Sequence, residues 1–165
     1  MKTRKYVAMA AIAALFAFGC SSDDDNNTPD PEPPANYDVI VGKWRAPVPA
    51  PILASFVDSL HVEFKNNQTY LVKTYKDGAE SELAGTYATS NGAGDIRNIV
   101  LEQSSPTTLT SEGIYKVNGA ELTYEVAQTQ PAQSGVTAPT AEAGFGSTSD
   151  GAFGMMNVQD YVKMN

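Results

Sequence analysis

The chain has 165 residues, 42% of them hydrophobic, with one cysteine, one histidine and 19 acidic against 11 basic side chains. That length suits a single domain, and one cysteine excludes an intramolecular disulfide. The formal net charge of −8 argues against nucleic acid as a partner, because an acidic surface repels phosphates instead of releasing their counterions.

Taken in chain order, Lys2, Arg4 and Lys5 form a basic start and Tyr6 to Phe18 an apolar run too short for a stable membrane-spanning helix, the pattern of an export signal over residues 1–19. Past residue 19 only eight basic residues remain against all 19 acidic ones, a net −11. The run ends Leu15-Phe16-Ala17-Phe18-Gly19-Cys20, which resembles a lipobox through Gly19 and Cys20. The resemblance implies cleavage before Cys20 and acylation of its thiol, hence a membrane partner through a lipid anchor; a secreted-type signal with an incidental cysteine is the alternative. Residues 20–38 are polar and proline-rich, unable to bury enough apolar area to fold, and are expected to form a disordered, extended tether. Within them Ser22 to Asp25 resembles the acidic export signal of surface-exposed Bacteroidetes lipoproteins, which implies an outer-membrane, cell-surface location. A plain solvated tether is the competing explanation, and three consecutive aspartates lack the glycine turn of a calcium loop.

From residue 39 to 165 the pattern changes to alternation of apolar and polar residues over short runs. Strands are expected at Ile40 to Arg45, around Leu60, Val62 and Phe64, and at Thr69 to Tyr75, Glu82 to Thr89, Ile96 to Gln103, Gly113 to Val117, Glu121 to Gln128 and Val158 to Met164. Asp77-Gly78 and Asn118-Gly119 are type I′ hairpin signals, and Pro51 to Asp58 has room for a helical turn or two. About eight sequential strands joined by tight turns predict an all-β fold, a small antiparallel up-and-down barrel whose closure removes its edges. Ala46 to Ser55 and Pro131 to Asn157 are irregular, and the second is long enough to be a lid or plug.

Gly42-Lys43-Trp44 resembles the GxW signature of lipocalins, and Phe64, Asn67-Gln68-Thr69-Tyr70 and Gly85-Thr86-Tyr87 resemble the pattern of bacterial lipocalin-like lipoproteins, over roughly Val39 to Asn165. The resemblance implies a tryptophan across the closed end of the barrel beneath a cation from a late strand, here Lys163 in place of arginine, and a small apolar ligand in the open end. Trp44, Phe64, Tyr70, Tyr87, Tyr115 and Tyr124 are the candidate cavity residues, with Tyr161 on the last strand. An eight-stranded interior is wide enough to be packed or to hold one small ligand, so the sequence leaves both open.

Little chemistry accompanies this. His61 is alone and lies opposite in parity to Leu60, Val62 and Phe64, so it is expected to face solvent. Glu80 with Glu82, and Glu121 with Glu125, have same-face spacing but sit beside turns, where acids are usually solvated. Asp58-Ser59-Leu60 resembles a short O-glycosylation motif of exported Bacteroidetes proteins, with Ser59 as acceptor. No metal site, cofactor or enzymatic activity is expected, and the protein is expected to be a monomer. Two functions follow as expectations: a surface lipoprotein whose barrel binds a small apolar or amphipathic ligand, or a non-enzymatic interaction lipoprotein using its outer face or the 131–157 loop to engage a protein or glycan.

Overall fold

The computed structural model describes residues 38–165; the export signal, Cys20 and the tether up to residue 37 lie outside the described residues. Eight strands follow one another as β1 Gly42–Ala46, β2 Ser59–Phe64, β3 Thr69–Lys76, β4 Ala79–Asn91, β5 Arg97–Ser105, β6 Leu109–Asn118, β7 Glu121–Gln130 and β8 Gln159–Lys163. Each pairs antiparallel with its neighbour, and β8 pairs with β1, so the meander closes into an up-and-down barrel. Every strand therefore has a neighbour on both sides, although β8 covers β7 only from Glu121 to Tyr124.

Turn chemistry fixes the register. Asp77 and Gly78 both take positive φ between the paired residues Lys76 and Ala79, the type I′ geometry whose twist matches the strands. The β6–β7 turn differs from expectation: Asn118 is itself paired with Glu121, and positive φ occurs at Gly119 alone of the two loop residues, the type II′ pattern. Two glycines allow strands to approach where a side chain could not. A Cβ on Gly113 would lie 2.0 Å from the Glu125 carbonyl oxygen, and one on Gly85 equally close to that of Glu102.

Alternation sorts the strands into an apolar inside and a polar outside. Leu60, Val62 and Phe64 of β2 are buried in the core with Trp44, Ile99, Leu101, Tyr115 and Leu122. Lys43, Arg45, Glu82, Glu102, Glu112 and Asp160 stand exposed on the outer wall. This is the inverse of a transmembrane barrel, which is apolar towards lipid and polar within.

Strand direction puts the β2–β3, β4–β5 and β6–β7 turns at one end with residues 38–41; the β1–β2 segment, the β3–β4 and β5–β6 turns and the long β7–β8 loop lie at the other. Both ends are closed. At the first, Ile40 is fully buried in the core and its carbonyl oxygen accepts the Trp44 indole N–H at 2.8 Å. Lys163 on β8 lies over the Trp44 ring, its Nζ 5.2 Å from the centroid. At the second, the proline-rich β1–β2 segment folds over the opening and packs Leu53 and Val57 against the core. Gln159 clamps it there, accepting from the Ala50 N–H at 2.6 Å and donating to the Val48 carbonyl at 2.9 Å. This segment forms hydrogen-bonded turns, with no helix assigned to it.

The 131–157 loop, expected as a lid or plug, lies instead against the outer wall. Its anchor is Glu125 of β7, fully buried although its parity points outward. The Glu125 carboxyl accepts the Gly146 N–H at 2.6 Å, the Thr148 N–H at 3.0 Å and the Thr148 hydroxyl at 2.5 Å. Asn157 adds bonds to the Val126 carbonyl and the Thr148 hydroxyl at 2.9 and 3.0 Å. Ile114 of β6, directly opposite Glu125 in register, is fully buried on this outer face too. The apolar cover that such burial requires is the loop, whose buried Ala141 sits so close to Gly92 that an added Cβ there would meet it at 2.6 Å.

Candidate functional site

All six candidate cavity residues point into the barrel and are buried, Trp44 and Tyr115 completely. They pack on one another more than they line a space. Phe64 meets Tyr87 edge-on at 5.1 Å between ring centroids and lies within 6.4 Å of Tyr70 and 6.3 Å of Tyr124, and Tyr124 meets Tyr161 edge-on at 6.1 Å. The cavity left among Val62, Phe64, Tyr70, Val72, Leu101, Tyr124 and Tyr161 measures about 40 Å³, room for a water or two. Burial pushes the hydroxyls of Tyr70, Tyr124 and Tyr161 up from their ordinary pKa, so all three remain neutral through the physiological range.

Asp38 reaches across the closed end to the opposite wall, where Oδ1 accepts the Tyr115 hydroxyl at 2.6 Å and the Ile40 N–H at 3.1 Å. Oδ2 accepts the Thr89 hydroxyl at 2.5 Å and lies 3.1 Å from a terminal nitrogen of Arg97. Burial alone would raise the Asp38 pKa, but the bonds from Thr89, Tyr115 and Ile40, with the Arg97 charge, outweigh it and hold the carboxyl below the usual aspartate value. Beside this hub lies a polar pocket of about 280 Å³ lined by Asp38, Asn66, Gln68, Tyr87, Thr89 and Arg97. By sequence Asp38 falls in the expected tether and nothing marks Arg97; an isolated acid after a proline run carries no local sign of a partner on strands fifty and more residues away.

Elsewhere the candidate chemistry is tied up in pairs. Lys73 bonds Glu80 at 2.7 Å and Glu82 at 2.8 Å across the β3–β4 ladder, which accounts for those carboxylates as a surface ion cluster. His61, half-buried on the outer face, lies edge-on to Tyr75 at 5.2 Å. Asp58 accepts from Lys76 at 2.9 Å and from the Asp77 N–H at 2.8 Å, so no triad with Ser59 and His61 is assembled. Ser59 opens β2, half-buried and paired with Tyr75. Glu125, expected beside a turn and solvated, is instead the loop anchor; Glu121, on the same outer face, stays exposed because the loop does not cover it. Among the described residues no three His, Cys, Asp or Glu side chains converge as a metal site would need.

Comparison with family models, with curated proteins and with solved structures returned no match.

At the loop end the surface is unusual. Val48 and Phe56 on the β1–β2 segment are 73% and 71% exposed, and Met155 and Met156 of the short 3₁₀ turn Gly154–Asn157 are 63% and 52% exposed. The two segments are joined by the Ile52 N–H, which donates to the Met156 carbonyl at 3.1 Å. Neither Ala46 to Val57 nor Gly151 to Gln159 contains a charged residue. Two hydrogen-bonded segments at this end thus carry no charge of their own, while Asp58, Lys76 and Asp77 gather at the β3–β4 turn of the same end.

Proposed function

We propose that this is a membrane-anchored, non-enzymatic interaction lipoprotein, acylated at Cys20 and exposed at the cell surface, whose closed barrel is a scaffold that presents its loop end to a protein partner. The observation that carries the partner is the exposed, charge-free set of Val48, Phe56, Met155 and Met156. Large apolar side chains left exposed on two adjoining, hydrogen-bonded segments support an interaction site, and methionines adapt to the shape of what they meet. A lipid surface is a poorer match, because interfacial binding to anionic bilayers draws on Lys and Arg, which neither segment supplies. The anchor rests on Gly19-Cys20 and the surface location on Ser22 to Asp25; kinship with lipocalin-like lipoproteins rests on Gly42-Lys43-Trp44, with Lys163 over the tryptophan supporting it.

The other class of function, an apolar ligand inside the barrel, has about 40 Å³ to work with, against the roughly 300 Å³ or more of ordinary small-molecule sites. It would require Tyr70, Tyr124 and Tyr161 to swing out of a core closed at both ends.

A photo-crosslinking residue at Phe56 in cells making the full chain tests the proposal, with the same residue at Glu102 on the outer wall as control. A discrete protein adduct is expected from position 56 alone and should disappear when Met155→Asp and Met156→Asp are added. Adducts to lipid only, or equal adducts from both positions, would overturn it.

A further inference from the structure

We propose that the polar pocket at the closed N-terminal end of the barrel binds a small carboxylate-bearing polar solute through Arg97. Arg97 is the first residue of β5 and points inward, paired in register with Tyr115. Its one polar contact among the described residues is the ion pair with Asp38, and its Nε is buried without a hydrogen-bond partner. A guanidinium carries five N–H donors in a planar fork. Here they are nearly all unspent, beside a pocket of about 280 Å³.

The one carboxylate of the pocket is, by contrast, saturated. Asp38 already accepts from Tyr115, Ile40, Thr89 and Arg97, two partners on each oxygen. Tyr87 donates its hydroxyl to the Lys65 carbonyl at 2.8 Å and Thr89 donates to Asp38, so neither has a proton left to offer. The remaining donors are the side-chain amides of Asn66 and Gln68, on the β2–β3 turn that borders the pocket. Gln68 sits there at φ 63°, a left-handed conformation that glycine or asparagine adopts with less strain. A residue held against its backbone preference at the rim of a pocket points to a use for its side chain.

A guanidinium with unspent donors beside a carboxylate that is already saturated calls for a ligand that brings an acceptor to the cation. The fork of Arg97 matches a carboxylate in bidentate fashion. Because Asp38 already balances the Arg97 charge on an acidic chain, the site has no surplus charge for a phosphate dianion and takes a monoanion through the geometry of the guanidinium fork. The volume corresponds to about nine waters at roughly 30 Å³ each, the size of a single sugar acid or amino acid. This site is at the opposite end of the barrel from the partner surface, and its fate is independent of that proposal.

Glucuronate and glucose, which share a ring and differ in the carboxylate, are the probes. The full chain purified in detergent is titrated with each to roughly 10 mM while amide shifts are followed by NMR. Glucuronate is expected to bind with a Kd on the order of 1 mM, moving the Gln68, Thr89 and Arg97 amides, and glucose at least about tenfold more weakly. Arg97→Gln should abolish the difference between the two. Because Arg97 also braces Asp38, Gln68→Gly serves as a variant that relieves backbone strain and keeps the fold; it should weaken glucuronate binding several-fold without lowering Tm. No shift at saturation, equal affinity for glucose, or glucuronate binding unchanged in Gln68→Gly overturns the assignment.

Discussion

Replacing Glu125 by glutamine probes how the long loop is held. The carboxyl accepts three hydrogen bonds from the loop, one on Oε2 from Gly146 and two on Oε1 from Thr148. An amide of the same shape has only one acceptor atom. Its best orientation turns the oxygen to Thr148 and the NH₂ to Gly146, so the Gly146 N–H loses its acceptor and faces another donor. Losing a hydrogen bond to a charged group costs about 1.5–3 kcal/mol, and a buried donor left unpaired adds about 1–3 kcal/mol. A total of about 3–5 kcal/mol is expected, but the barrel need not unfold to escape it. The loop lies on the outer wall, so it can lift away and return the orphaned groups to water, at the expense of exposing Ile114. Hydrogen exchange is therefore the sharper assay. Exchange at the Gly146 and Thr148 amides should quicken by about 100-fold or more, at roughly 1.4 kcal/mol per decade, and cleavage between residues 131 and 157 should appear, while protection along the β2–β3 ladder stays unchanged. Unaltered protection at Gly146 and Thr148 would refute the idea that Glu125 holds the loop.

Three further outcomes follow from the packing. Asp38 has a native pKa below its unfolded value, so its contribution to stability is complete above the ordinary aspartate pKa of about 3.9 and is lost as pH falls through the lower native value. Asp38→Asn should thus lower Tm at neutral pH and flatten the Tm-versus-pH curve below about pH 4; thermal melts across that range check it. Gly113→Ala should destabilise by more than about 2 kcal/mol, since its Cβ would meet the Glu125 backbone at 2.0 Å, and denaturant midpoints measure this. Tyr161→Phe removes a hydroxyl that makes no hydrogen bond among the described residues and should leave stability unchanged to within about 0.5 kcal/mol, whereas Trp44→Phe, which loses the bond to Ile40, should cost about 1–2 kcal/mol.

The barrel was legible because its strands alternate: Leu60, Val62 and Phe64 against His61, Glu63 and Lys65 announce an inside and an outside, and Asp77-Gly78 announces how two strands join. What alternation hides is any feature that belongs to two distant stretches of chain. Glu125 looked like a solvated acid because the residues that bury it lie 21 and 23 positions away. A weak signal was present. Gly113-Ile114-Tyr115 runs without a polar residue, and strands without alternation are covered on both faces. The cap at the loop end was similarly exchanged with the long loop, because length suggests a lid, whereas Leu53 and Val57 in the shorter segment supply the apolar contacts that closing a core requires. Asp38 and Arg97 could not be paired from sequence at all, since their meeting depends on the register of β4, β5 and β6.

The central claim is a filled barrel on a lipid anchor, with its function on the outside. Native mass spectrometry of the chain extracted from its own membrane in mild detergent tests both halves at once. The expected species has the mass of residues 20–165 plus acyl chains, with no small apolar molecule retained. An unacylated chain, or one that carries a non-covalent apolar ligand through extraction, would contradict the account.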